Sequence, residues 1–148
     1  MYNTILWATD GSAEADTALA EAVELLDPDG EIVAFHCDQR FMGSHVAGTP
    51  IFPDEADRRR HIDEQVEDLQ LRGIEVHELV ETTSSEPAHE IAKAADELGV
   101  QVIVCGTRAL HGLPALLNGS VAARLLKHAT VPVIVVPARV ASRTTAAV

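Results

Sequence analysis

The chain has 148 residues, of which 47% are hydrophobic and only 3% aromatic, so one domain with an aliphatic core is expected. A net charge of −12, from 11 basic and 23 acidic side chains, disfavours nucleic acid and anionic membranes as partners. No apolar run approaches the ~20 residues that cross a bilayer, and the first residues lack the basic and apolar regions of a targeting signal. We therefore expect a cytoplasmic protein.

The first half of the chain predicts two strands and two helices. An apolar run at 4–8 is followed by the turn Thr9–Ser12, with Ser12 as the helix N-cap. The helix that follows ends at the turn 27–30, and the second strand covers 32–37. The inward face of this first helix is predicted to carry Ala15, Ala18, Leu19, Ala22, Val23 and Leu26. Residues 38–53 form a long loop, either a binding lid or a surface excursion, before a charged helix at about 54–72.

That charged helix has an apolar stripe made of Ile62, Val66 and Leu69. Partial alternation at 74–80 predicts a half-exposed strand near a sheet edge, and Ser84 or Ser85 can cap the next helix. This third helix is expected to end at Gly99 and to bury Ala88, Ile91, Ala92, Ala95 and Leu98. A fourth strand at 100–105, a glycine-bearing loop, a helix from near Ser120 and a final strand at 133–136 complete the pattern.

Strands that alternate with helices of this length predict an α/β fold with right-handed crossovers. We expect an open, doubly wound, five-stranded parallel sheet of order 3-2-1-4-5 with helices on both faces. The domain would cover residues 1–137, and 138–148 would form a flexible tail. In this order the winding direction reverses between strands 1 and 4, where α/β proteins bind ligands. Asp10 and Gly106 follow those two strands, so the sequence predicts a phosphate or nucleotide site there.

The two cysteines, Cys37 and Cys105, lie at the ends of predicted strands. They form no CxxC or Cys/His cluster, so we predict buried thiols in a reducing compartment and no metal site.

Three segments carry a family resemblance: Ala8–Ser12, Val102–Arg108 and Asn118–Ala122. With them, nearly all of residues 1–137 resembles the universal stress protein family. The nucleotide-binding branch of that family has a Gly-x2-Gly-x9-Gly-Ser/Thr motif, and here it reads Gly106, Ala109, Gly119, Ser120. Ala109 departs from the motif, which has Gly at this position. Its Cβ disfavours positive φ and a very close approach of the backbone to phosphate.

The resemblance implies that ATP or AMP, with or without Mg²⁺, binds at the loops after strands 1 and 4. It implies contacts near adenine or ribose for Asp10, a backbone contact to adenine for Cys37, and phosphate contacts for Ser120. The full set of implied binding residues is Ala8, Thr9, Asp10, Cys37, Gly106, Arg108, Ala109, Gly119, Ser120, Val121 and Ala122. Asp10 and Ser120 also fit plain turn or cap roles.

Two functions remain open. The first is a nucleotide-dependent stress sensor without dedicated catalysis. The second is a nucleotide-free module that forms a homodimer through the final strand, Val133–Val136, and binds other proteins. An enzyme is disfavoured, because the chain has no Walker loop and no GxSxG elbow. The first turn also lacks the GxGxxG of dinucleotide dehydrogenases, and no Asp follows the third strand as in a phosphate-accepting receiver domain.

Overall fold

A computed structural model describes residues 1–39, 55–83, 86–107 and 121–137. Within these ranges, parallel strands pair into one five-stranded sheet of order β3-β2-β1-β4-β5, which confirms the predicted topology. The strands are β1 (Tyr2–Thr9), β2 (Leu26–Gln39), β3 (Glu75–Thr83), β4 (Val102–Thr107) and β5 (Val133–Pro137). The helices are α1 (Ala13–Leu25), α2 (Glu55–Leu71), α3 (Pro87–Leu98) and α4 (Val121–His128).

Two separate cores cover the two faces of the sheet. On the first face, α1 and α2 pack against Ile5, Trp7 and the other side chains that point to that side. On the second face, α3 and α4 pack against Leu6, Phe35 and their neighbours. Because consecutive strand residues point to opposite faces, the continuous apolar run of β1 serves both cores.

The start of β2 differs from the sequence prediction. Helix α1 does end at Leu25, but the segment 27–30 is not a break between helix and strand. Tyr2 pairs with Leu26, and the register then shifts before Thr4 pairs with Glu31, so these residues remain beside β1. Leu26, predicted to lie on the inner face of α1, is therefore a buried strand residue.

Helix α3 ends at Gly99 as predicted, but it differs from the prediction at its N-cap and at Leu98. Its N-cap is Glu86, which is followed by Pro87 at a position that does not need an N–H; the predicted caps Ser84 and Ser85 lie outside the described residues. Leu98, predicted to point inward, is 48% exposed. The chain reverses at Gly99, with φ +65°, and Val100 occupies the core position instead.

The remaining element predictions agree in type and differ only in bounds. The α2 residues Ile62, Val66 and Leu69 are buried, as predicted. Strands β3 and β5 form the two edges of the sheet. Strand β4 begins at Val102, two residues later than predicted. Most of the predicted long loop and the tail 138–148 lie outside the described residues.

In the described ranges, every helix is too short or too polar to traverse a lipid bilayer.

Candidate functional site

The switch point of the sheet lies between the adjacent strands β1 and β4. Ala8 of β1 pairs with Cys105 of β4, so the next residues, Thr9 and Gly106, lie side by side at the carboxyl ends of these two strands. The edge therefore brings together two segments that are far apart in sequence, as the predicted strand order requires.

The turn after β1 is built by hydrogen bonds from the backbone to its own side chains. The Gly11 N–H donates to Thr9 Oγ1 at 3.1 Å, and the Ser12 N–H donates to Asp10 Oδ1 at 3.0 Å. The Ser12 hydroxyl accepts from the Ala15 N–H at 3.3 Å, which confirms Ser12 as the cap of α1. Asp10 thus shapes the turn, and the turn directs the N-terminus of α1 toward the edge.

The first turn of α1 is fixed closely against the sheet. The buried Trp7 indole N–H donates to the Ala15 carbonyl at 2.9 Å. A Cβ placed on Gly106 would overlap the Glu14 carbonyl and lie 3.1 Å from the Ala15 nitrogen. Glycine is therefore required at Gly106 for helix–strand contact, a packing role in addition to the one the motif implies.

Helix α2 also approaches the edge through its N-terminal half. Gly11 has φ +76°, and a Cβ there would come within 2.9 Å of Arg58 Cβ. His61 of α2 lies 2.6 Å from Asp16 of α1. His36, at the end of β2, lies 2.9 Å from Glu55, the first residue of α2. Three separate contacts thus attach α2 to the turn after β1, to α1 and to β2.

Unpartnered polar atoms concentrate at the same edge. Among the residues the structure describes, three buried side-chain atoms lack a hydrogen-bond partner: Asp16 Oδ1, Arg59 Nε and Glu86 Oε1. They belong to the N-terminal parts of α1, α2 and α3, which all face the carboxyl ends of the strands. Arg124 Nε lies 3.2 Å from Glu86 Oε1, an ion pair without hydrogen-bond alignment. Buried polar atoms without a partner are few in native proteins, and an ion or a water that completes their hydrogen bonds is one explanation for them.

Two groups of the sheet have perturbed pKa values. Desolvation raises the pKa of the Glu78 carboxyl on β3 above its ordinary 4.5, and the hydrogen bond and negative charge of Asp63 raise it further, against the opposing charges of Arg59 and His36. Burial raises the pKa of the Cys105 thiol to about 11. Cys105 is therefore a protonated core thiol at neutral pH, in agreement with its predicted role.

The edge brings together a part of the predicted binding residues. Ala8, Thr9, Asp10, Cys37 and Gly106 lie at or beside the ends of β1, β2 and β4. Val121 and Ala122 begin α4, and the Ala122 side chain is buried in the second core, so only its backbone could bind a ligand. Arg108, Ala109, Gly119 and Ser120 lie outside the described residues.

The residues of α2 and β2 that reach the edge were not predicted from the sequence. His36 had a visible signal, because it is a polar residue within the apolar run 32–37. Glu55, Arg58 and His61 had none, since a heavily charged helix is usually a solvated face.

One cluster of side chains with metal-ligand chemistry appears within the described ranges, away from this edge. His77 Nε2 lies 3.1 Å from both Glu31 Oε2 and Glu75 Oε1, near the amino end of β3. The side chains of this cluster are largely exposed, and the cluster is not part of the candidate site.

Comparison with known proteins adds the family. The model of the universal stress protein family matches residues 1–137. The chain belongs to this family. The universal stress protein YxiE of Bacillus subtilis is 30% identical over 152 aligned residues, covering 92% of this chain and 99% of YxiE.

Solved structures of other universal stress proteins share the fold. One from Burkholderia pseudomallei is 28% identical, with a TM-score of 0.69 and coverage of 92% of this chain and 96% of that one. A second, from Arabidopsis thaliana, is 17% identical, with a TM-score of 0.63 and 91% coverage of each chain, and was solved with AMP bound. At this identity the Arabidopsis likeness establishes the fold alone.

Proposed function

We propose that this universal stress protein binds ATP or AMP at the carboxyl edge of β1 and β4 and acts as a nucleotide-dependent sensor. The observation that carries the proposal is the convergence at one switch point of the Thr9–Ser12 turn, Gly106 and the capped N-terminus of α1. The AMP in the Arabidopsis relative supports the same ligand class.

The described residues fit a nucleotide by their donor and acceptor chemistry. Asp10 supplies a carboxylate for an adenine amino group or a ribose hydroxyl. The backbone N–H groups of Val121 and Ala122, at the first turn of α4, supply donors and a partial positive charge for phosphate. A nucleotide would bring to this edge a planar base and a polyphosphate. Because the net charge is −12, Mg²⁺ with the nucleotide reduces the repulsion of that phosphate.

We propose binding without dedicated catalysis. At the described part of the edge, the Asp10 carboxylate and the Ser12 hydroxyl are engaged in the turn and the helix cap. In these contacts both groups accept a hydrogen bond from a backbone N–H, which does not activate a nucleophile. Occupancy would instead change the surface offered to a protein partner, in a chain that we expect in the cytoplasm.

The test is nucleotide release from freshly purified, acid-denatured protein, combined with titration calorimetry of Mg-ATP. A micromolar isotherm that Asp10→Ala weakens would support the proposal. Asp29→Ala is the matched control, since it removes the same charge from an exposed position near the amino end of β2. Absence of both bound nucleotide and binding heat would refute it, and a gain of binding in Ala109→Gly would then attribute the loss to Ala109.

A second candidate is a homodimeric interaction module. Strand β5 is at a sheet edge, pairs with β4 on one side, and its Val133, Ile134 and Val135 are only half-buried. Such an edge can pair with a second copy. Sedimentation equilibrium with and without Mg-ATP tests this candidate, because a monomer under both conditions would contradict it.

A further inference from the structure

His36 occupies an unusual position between the candidate site and α2. It is 3% exposed, and both of its ring nitrogens have partners. Nδ1 lies 3.0 Å from the carbonyl oxygen of Thr9, and Nε2 lies 2.9 Å from Glu55 Oε1. The ring thus connects the end of β1, where the candidate site begins, to the first turn of α2.

The chemistry of these two partners fixes the number of protons in the bridge. A carbonyl oxygen only accepts hydrogen bonds, so Nδ1 must carry a proton. An ionised carboxylate also only accepts, so Nε2 must carry a second proton, or else Glu55 is protonated and donates to Nε2. In both cases the pair holds one proton more than a neutral imidazole beside an ionised carboxylate.

The charged groups around the ring are compatible with this extra proton. Glu55 is the direct partner on α2, and Glu78 on β3 interacts electrostatically with His36. Arg59 of α2 opposes a positive ring, but it also faces Glu78, and Asp63 adds a further carboxyl. The Glu55 side chain is 33% exposed, which leaves the buried pair open to proton exchange with solvent.

We propose that His36 is a positioning residue whose shared proton couples nucleotide binding to pH. The protonated bridge holds the Thr9 carbonyl and α2 in the geometry described above. When the proton is lost, a lone pair on His36 Nε2 faces a lone pair on Glu55 Oε1, and the two atoms repel each other. Nucleotide affinity therefore falls as pH rises, and by linkage nucleotide binding favours retention of the proton. The inference rests on the proposed function, since it assigns a regulator to that same site.

Glu55→Gln removes the need for the extra proton and keeps both hydrogen bonds of the bridge. An amide N–H of Gln can donate to Nε2 of a neutral ring while Nδ1 still donates to Thr9, so both hydrogen bonds persist without the extra proton. His77→Asn is the matched control, because His77 also pairs with carboxylates, those of Glu31 and Glu75, but lies near the amino end of β3 and away from the candidate site.

The experiment is Mg-ATP calorimetry at about pH 6 and about pH 8, the range in which an imidazole changes charge. We expect the wild-type chain to bind about fivefold more weakly at the higher pH, which is the lower end of typical couplings. His77→Asn should keep this ratio, and Glu55→Gln should bring it close to one. An equal ratio in the wild type and Glu55→Gln would overturn the proposal.

A second readout needs no nucleotide. Nitrogen-15 NMR of the histidine rings reports whether both nitrogens of His36 are protonated, or whether Nε2 accepts a hydrogen bond from a protonated Glu55. In Glu55→Gln the same measurement should show an ordinary neutral ring with an unprotonated Nε2. A wild-type ring at about pH 6 without the extra proton on the pair would overturn the proposal. If Mg-ATP does not bind at either pH while the pair holds its proton, the proposed function fails and the coupling fails with it, but the protonated bridge is established independently.

Discussion

On the first face of the sheet, directed hydrogen bonds add to the apolar packing of the helices, whereas on the second face small apolar side chains attach α3. Trp7 bonds to α1, and two His–carboxylate pairs attach α2 to β2 and to α1. The inner side of α3 consists of Ala88, Ile91, Ala92, Ala94 and Ala95. Three polar side-chain contacts of α3 and its N-cap, Lys93–Glu97, Glu86–Arg124 and Asp96–Thr130, lie within α3 or run to α4 and the segment after it, and not to the strands.

This difference matches the position of the candidate site. Apolar burial fixes how closely a helix approaches the sheet, but it constrains rotation and sliding weakly because it is not directional. Hydrogen bonds and glycine contacts fix the N-terminal turns of α1 and α2 relative to the carboxyl edge. Substitutions on the second face should therefore reduce stability without moving the edge, and substitutions in the first-face contacts should move the edge at a smaller cost.

The largest expected effect belongs to the second face. Ile91→Ala removes a 4%-exposed side chain from the core beneath α3 and should reduce the free energy of unfolding by about 2–5 kcal/mol. Chemical denaturation measures the loss. Mg-ATP affinity measured well below the transition should stay within about twofold of the wild type, because distant sites act additively. A larger change in affinity would break the distinction between the faces.

Gly106→Ala should have the next largest effect. The added methyl group would overlap the Glu14 carbonyl, so α1 must move, at a cost of about 1–3 kcal/mol. The chain has one tryptophan, Trp7, which bonds to the neighbouring Ala15, so its fluorescence reports the movement of α1. Gly73→Ala is the control, since a Cβ there meets nothing within 4 Å, and its positive φ strains only a distant turn. An unchanged Trp7 fluorescence spectrum in Gly106→Ala would show that the contact with Gly106 does not fix the position of α1.

The same contrast explains what sequence could predict. The strand order and the buried faces of α1 and α2 follow from periodicity and topology, which local patterns encode. Leu98 and Leu26 were misassigned because helix periodicity was extended past the point where the chain turns away. The contacts of His36 with Thr9 and Glu55 depend on how three elements meet in space, and no spacing rule in one segment encodes that meeting.

Trp7→Phe sharpens the comparison by removing one hydrogen bond together with one ring of the buried indole. We expect a loss of about 1–2 kcal/mol, since a single neutral hydrogen bond contributes about 1 kcal/mol and the smaller side chain leaves part of the space unfilled. The variant lacks the tryptophan, so circular dichroism in denaturant is the measurement. A loss near that of Ile91→Ala would mean that packing, and not direction, dominates the first face as well.

Glu78→Gln should produce the smallest effect and one that depends on pH. The pKa of Glu78 in the folded chain is raised above 4.5, so the fold disfavours its ionised form. The stabilising contribution of a raised acid is complete below the unfolded pKa and is lost as pH rises through the folded pKa. Gln should therefore raise the melting temperature slightly at about pH 7, and the gain should disappear at about pH 4.

The Asp63 carboxyl provides the internal check on Glu78. Because Asp63 raises the pKa of Glu78 through its hydrogen bond and charge, Glu78→Gln should stabilise less in an Asp63→Asn background. Additive effects of the two substitutions would show that desolvation of Glu78 alone is responsible. A non-additive pair would place a coupled carboxyl cluster between α2 and β3, beside the bridge formed by His36, and would extend the directed contacts of the first face to its outer strand.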